Sequence, residues 1–432
     1  MSIVHAGGIG RSKKARRISE KRMGVFVTNV SRASGGRGAD RVTLYATAVL
    51  VMQVLVLAIW SVRYYVLHEQ SAPMLGWDFV VFWSAARVAL EHGAASVFSP
   101  QLMYAVEVGL TPFGGGAKWP YPPTFLLPLI PLGLLPFSVA LASFSAVGIA
   151  LYACVLTRAA RGLARPNFLI AAAFPGIPVA LAAGQNSLLT VAAAGSALWL
   201  LEANSVLAAV CIATLAIKPQ FAVLFPLVLI CSRQWRTLVA SAACCVAFVG
   251  LSAAVLGLDA WTAFISYLPK FNQVTVVHGT HLWNGMPTLF AASRLAGLSV
   301  GAAYAVHVLV VVPAVVATAY LWLRPARFEL RATALTVTTL LVQPYLMFYD
   351  LAWLALPILF LMRDAKVSEL SRLEWVMLGA AWLTPAQGFL AVVFGAPCQI
   401  APAVLTALLA MTMRRHFATQ KVRTSSSIHC AF

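Results

Sequence analysis

Twelve apolar stretches, most of them separated only by short loops, govern what this chain can become. The first runs from 43 to 66. The others lie near 137–157, 167–183, 187–201, 205–217, 220–232, 237–257, 298–323, 332–348, 351–362, 375–395 and 399–413. A helix needs about 20 apolar residues to cross the hydrocarbon of a bilayer, and fewer where it lines a cavity inside protein. The stretches at 205–217, 220–232 and 351–362 are short for a crossing, so we read them as tilted into a central cavity or re-entrant. The expected fold is an all-α polytopic membrane protein with about ten to thirteen transmembrane helices. Composition points the same way: 61% of the 432 residues are hydrophobic and 10% are charged, far from the balance of a soluble domain.

Charge gives the chain a direction. Loops on the cytoplasmic side of a membrane protein carry an excess of Lys and Arg. With the N-terminus inside, Arg158/Arg161/Arg165, Arg233/Arg236, Arg324/Arg327/Arg331, Arg363/Lys366/Arg372 and Arg414/Arg415 all fall in cytoplasmic loops. The opposite loops hold only Arg87, Lys118, Lys218, Lys270 and Arg294. Residues 1–41 read as a disordered basic cytoplasmic tail, 42–415 as the transmembrane domain and 416–432 as a second cytoplasmic tail. Long extracytoplasmic loops span about 67–136 and 258–297. A net charge of +18 distributed in this way suits anionic lipid headgroups, and no nucleic-acid motif accompanies it.

Against this background a few polar residues stand out. Asp78 lies in Leu75-Gly76-Trp77-Asp78-Phe79-Val80, with no other charge for several residues on either side. A carboxylate in such company bears a desolvation cost and is seldom kept without a task. It also precedes a helical pattern ending at Gly93, so a helix N-cap is the competing reading. Arg87 follows nine residues later, half a turn out of phase at about 100° per residue, and is better placed to pair with Glu91 at i+4. A short apolar helix over 124–134, broken at Pro136, has the length of a half-helix or interfacial helix.

The remaining polar positions sit at helix ends or tight turns on the side away from the basic loops: Tyr121, Gln185, Asn186, Lys218, His278, His281, Asn284, Gln343, Tyr345, Tyr349 and Asp350. Lys218, a lone cation followed by Pro219, either neutralises an anion or snorkels from a span end. Asp350 either pairs with Lys218 as part of the fold or joins the site, and the structural role is preferred. Gln185-Asn186 either caps a turn or hydrogen-bonds a ligand. Six of the seven cysteines lie in apolar runs and read as small core residues. No HExxH or His/Cys cluster is present, so no protein-bound metal is expected.

Taken in order, Asp78 with Phe82 and Ala85, Tyr121-Pro122-Pro123, Gly184-Gln185-Asn186, Lys218-Pro219-Gln220, Asn284 and Tyr349-Asp350 resemble the motifs of glycosyltransferase family 87. The resemblance runs through about residues 43–400. It implies a GT-C-type fold, a lipid-phosphate sugar donor, and a catalytic Asp in the first extracytoplasmic loop, which maps onto Asp78. Some family members carry histidines in the last motif, where this chain has Phe348-Tyr349-Asp350, so a phosphate role for such a histidine does not carry over.

On this reading the chain moves a hexose, mannose first among them, from a polyprenyl-phosphate sugar to a lipid or glycan acceptor. The site lies on the extracytoplasmic face of a cell membrane. Asp78 would be the general base, with inversion. Lys218, Tyr121, His281, Asn284, Gln185, Asn186, Tyr349 and Asp350 would contact substrate or phosphate. The Gly-rich loop at 111–123 would cover the site. No cofactor or metal is required, because the donor carries its own leaving group. The rival is a transporter or flippase, which needs polar groups leading to both faces and often shows repeated halves; no convincing internal repeat is visible.

Overall fold

Glycine and proline cut this apolar chain into helices, and where they fall sets the architecture. The computed structural model describes residues 40–69, 74–110, 118–388 and 399–429. The basic tail, all but its last two residues, the loop 111–117 and Cys398 lie outside them. Among the described residues every regular element is helical and no strand occurs. Among the described residues four helices are long and apolar enough to cross a bilayer: Asp40–Val66, Phe137–Ala159, Trp235–Leu256 and Val300–Leu323. Apolar side chains such as Ile59, Val246 and Leu309 remain exposed on them, as expected of a surface that meets lipid.

Most of the other expected crossings are shorter pieces. Asn167–Ala183 is apolar but broken before Gly176, and Ser205–Ile217 and Pro219–Cys231 are separated by a kink at Lys218. Proline restricts the residue before it to extended backbone, and Lys218 takes φ −148° and ψ 71° between two short 3-10 turns. The last helix runs unbroken from Ala401 to His429, past the end expected for the final span. Pro123–Leu129 with the 3-10 turn Ile130–Leu134 forms the short helix expected before Pro136, packed on Phe79–His92.

The helix Ser187–Leu200 shows how the molecule is polarised. Its first residue hydrogen-bonds Asp350, and just past its far end Glu202 pairs with Arg331 at 3.4 Å. Fourteen helical residues separate these ends by about 21 Å. Around Glu202 gather several of the loops that the positive-inside pattern assigns to one side. Arg363 donates to the carbonyls of Ala159 and Arg161, and Lys366 to that of Gly162. Arg327 and Arg415 clasp the buried Asp364 at 2.8 and 2.7 Å, and Arg414 and Arg415 hold Glu374. The opposite end carries Asp78, Gln185, Lys218 and Asp350.

Among the described residues the cysteines divide: Cys211 and Cys231 pack at the edge of the main core, as expected, whereas the others sit outside it. Cys154 is exposed and Cys211, Cys231, Cys244 and Cys245 are half-buried. Two of these, Cys244 and Cys245, lie on the crossing helix Trp235–Leu256. Lipid accepts a small apolar thiol on an outer helix face as readily as the core does.

Candidate active site

Two glycines place Asp78. Gly184 ends the helix Gly176–Ala183 with φ +71°, a conformation costly for residues with a side chain. A Cβ there would come within 2.6 Å of the Cβ of Phe79 and 3.0 Å of the Cα of Gly76. The close approach lets the turn before Phe79–His92 dock on the end of that helix. Gly76 N–H donates to the carbonyl of Ala182 at 2.7 Å, and Asp78 N–H to that of Ala183 at 3.0 Å. Asp78 therefore stands beside Gln185, 107 residues away in sequence.

Asp78 precedes Phe79–His92 in the N-cap position, but its side chain accepts no capping hydrogen bond. The carboxylate instead lines a cavity of about 210 Å³ together with Lys118, Tyr121, Gln185, Tyr345 and Tyr349. Gln185 Nε2 donates to Asp78 Oδ2 at 3.0 Å, and the Tyr349 hydroxyl hydrogen-bonds the same carboxylate. Gln185 Oε1 in turn accepts from the Tyr121 hydroxyl at 3.3 Å. Burial pushes the Asp78 carboxyl up to about 6; the hydrogen bonds from Gln185 and Tyr349 and the charge of Lys218 oppose the rise. Under the cavity Phe82 meets Tyr121, Trp119 and Phe125 edge-on, a contact geometry that holds aromatic rings in fixed orientation.

Lys218 and Asp350 form a buried pair at 2.7 Å, with side-chain exposures of 5% and 3%. Asp350 Oδ1 also accepts from Ser187 Oγ at 2.8 Å. The pair lines a second cavity of about 160 Å³ that shares Tyr121, Phe271, Tyr345 and Tyr349 with the first. The Lys218 ammonium lies 5.5 Å from the centroid of the Tyr349 ring, so the ion pair braces the tyrosine that bonds Asp78.

The other residues singled out from the sequence are placed differently. Asn186 is fully buried and makes no cap; its side-chain oxygen and nitrogen have no partner among the described residues. Asn284 is exposed, and its backbone carbonyl accepts from Gln399. His281 stands in the turn Thr280–Trp283, and its side chain lies outside the described residues, as does most of the Gly-rich loop. Arg87 points away from Asp78 and pairs with Glu91, as its helical phase requires.

Two residues at the site carried little sequence signal. Phe271 closes Leu258–Phe271, and Lys118 is one of the scattered cations before the Tyr-Pro-Pro motif. Phe271 lines both of the cavities above, and its ring meets Tyr345 edge-on.

The family model of glycosyltransferase family 87 matches residues 119–344, which is more than half of the 432. No curated protein and no solved structure matches this chain. Tyr121, Gln185, Lys218 and Tyr345's neighbour Pro344 fall inside the matched stretch, whereas Asp78, Tyr349 and Asp350 lie beyond it. The fold brings these outlying residues to the matched ones.

Proposed function

This chain belongs to glycosyltransferase family 87, and from that premise we propose that it transfers a hexose from a polyprenyl-phosphate sugar to a lipid or glycan hydroxyl, with Asp78 as general base. One observation carries the proposal. The carboxylate at the head of Phe79–His92 leaves its own helix uncapped and faces a cavity instead, held there by Gln185 and Tyr349. A pKa near 6 suits a base that must be ionised at neutral pH and still accept a proton.

In the proposed reaction the acceptor hydroxyl gives its proton to Asp78 as its oxygen bonds the anomeric carbon. The bond from that carbon to the phosphate oxygen breaks, and the electron pair leaves with the lipid phosphate. A single carboxylate base without a second nucleophile gives inversion at the anomeric carbon. Tyr121, Tyr345 and Tyr349 line the cavity, and a donor seated against these rings would be shielded from water, which limits its hydrolysis. Mannose remains the preferred sugar.

The distribution of charge supports an extracytoplasmic site. Basic loops gather around Asp364, Glu374 and Glu202, and Asp78 lies at the other end of the bundle. By the positive-inside rule the ionic end faces the cytoplasm of a cell membrane. The test is to incubate membranes containing the chain with a panel of polyprenyl-phosphate hexoses and analyse lipids and glycans by mass. Transfer from one donor, absent with Asp78→Asn, is the expected result. Equal transfer by the variant overturns the assignment.

A further inference from the structure

We infer that Lys118, with Thr275 as its positioning partner, receives the phosphate of the lipid-linked donor. The inference rests on the donor class proposed above and names the residue that would bind it. Three cavities meet near Asp78. The largest, about 520 Å³, lies between the segment Ala95–Met103 and the helix Leu258–Phe271 and is lined by apolar side chains including Val97, Phe98, Met103 and Val274. Lys118 and Phe271 line both this chamber and the Asp78 cavity. The order of surfaces is therefore apolar chamber, ammonium, carboxylate. A lipid-phosphate sugar has the same order: apolar chain, phosphate, anomeric carbon.

The state of the cations favours Lys118 over Lys218. Lys218 is buried, and Asp350 at 2.7 Å takes up its charge. Lys118 is half-buried and forms no ion pair among the described residues; its ammonium donates to Thr275 Oγ1 at 3.4 Å. A partly desolvated ammonium without a counter-ion attracts an anion more strongly than a hydrated or paired one. The next residue adds an independent sign. Trp119 lines the same chamber, is 1% exposed, and its Nε1–H has no acceptor among the described residues. Buried donors of this kind are normally satisfied, and a phosphate oxygen is the kind of acceptor that would do so. Lys270, on the rim of the chamber, is exposed and would meet the lipid phosphate only on its way in.

The experiment measures binding, so it does not depend on turnover. Full-length protein in detergent is titrated with farnesyl phosphate and with farnesol, which differ only in the phosphate. The wild type should prefer the phosphate by about tenfold or more. Lys118→Met should reduce that preference to about threefold or less, Lys118→Arg should retain it, and Thr275→Val should weaken it without removing any charge. Melting temperatures of all variants report folding. If K118M keeps the full preference at unchanged melting temperature, Lys118 is not the anion site. If the wild type shows no preference, the lipid-phosphate donor fails and this inference with it. Displacement of farnesyl phosphate by an equal amount of phosphatidate would assign the anion site to glycerolipid and overturn the donor assignment.

Discussion

Gln185 reaches Asp78 across 107 residues of sequence and donates a 3.0 Å hydrogen bond to its Oδ2. The same side chain accepts from Tyr121 at 3.3 Å, so one amide fixes both the carboxylate and a hydroxyl of the cavity wall. Because the amide also opposes the rise of the carboxyl pKa, Gln185 links the packing of two helices to the chemistry of the site.

Asp78→Asn should lower transfer by about 10²- to 10⁴-fold, the range of general base catalysis. The amide keeps the size of the side chain, so melting temperature in detergent and donor binding should stay near wild type. Rate and melting temperature measured on the same preparation separate loss of the base from loss of the fold.

The acid limb of the pH–rate profile should report Asp78. With its carboxyl near 6, activity should fall as pH drops through that value, well above the fall of an ordinary aspartate near about 4. Gln185→Leu removes a hydrogen bond that favours the ionised form. The limb should therefore move to higher pH. A shift to lower pH would contradict the role assigned to the amide.

Breaking the buried Lys218–Asp350 pair from one side leaves an uncompensated charge. Either Lys218→Met or Asp350→Asn should cost about 3–5 kcal/mol of stability, read as a drop in melting temperature. Lys218→Ala should weaken donor use more than acceptor use if the ammonium also meets phosphate. A loss of stability with donor and acceptor constants unchanged would restrict Lys218 to bracing Tyr349.

Gly184→Ala tests the docking of the two segments. The left-handed backbone costs a non-glycine residue about 1–2 kcal/mol, and forcing the methyl against Phe79 and Gly76 adds about 1–3 kcal/mol. Turnover should fall although no reacting group is changed, since Asp78 and Gln185 are carried on the two displaced segments. Unaltered turnover in a folded G184A protein would show that the site tolerates their separation.

Local physics was legible in the sequence. The apolar runs gave helices, Gly93 and Pro136 ended them, and the phase of Arg87 assigned it to Glu91 and not to Asp78. The isolation of Asp78 among apolar residues marked it for attention. Its bonds to Gln185 and Tyr349 were not legible, because they join segments far apart along the chain, the first through the backbone contact of two glycines.

By itself the sequence determined a helical membrane protein with basic loops assigned to one side, because hydropathy and charge act over neighbouring residues. Only the tertiary structure decided which charges are free. Lys218 and Lys118 look alike in the chain, each a lone cation beside a proline-containing turn. Folding sets the first 2.7 Å from Asp350 and leaves the second between two cavities, with a threonine hydroxyl as its hydrogen-bond partner among the described residues. Coulomb attraction acts through distance and burial, which the order of residues does not encode locally.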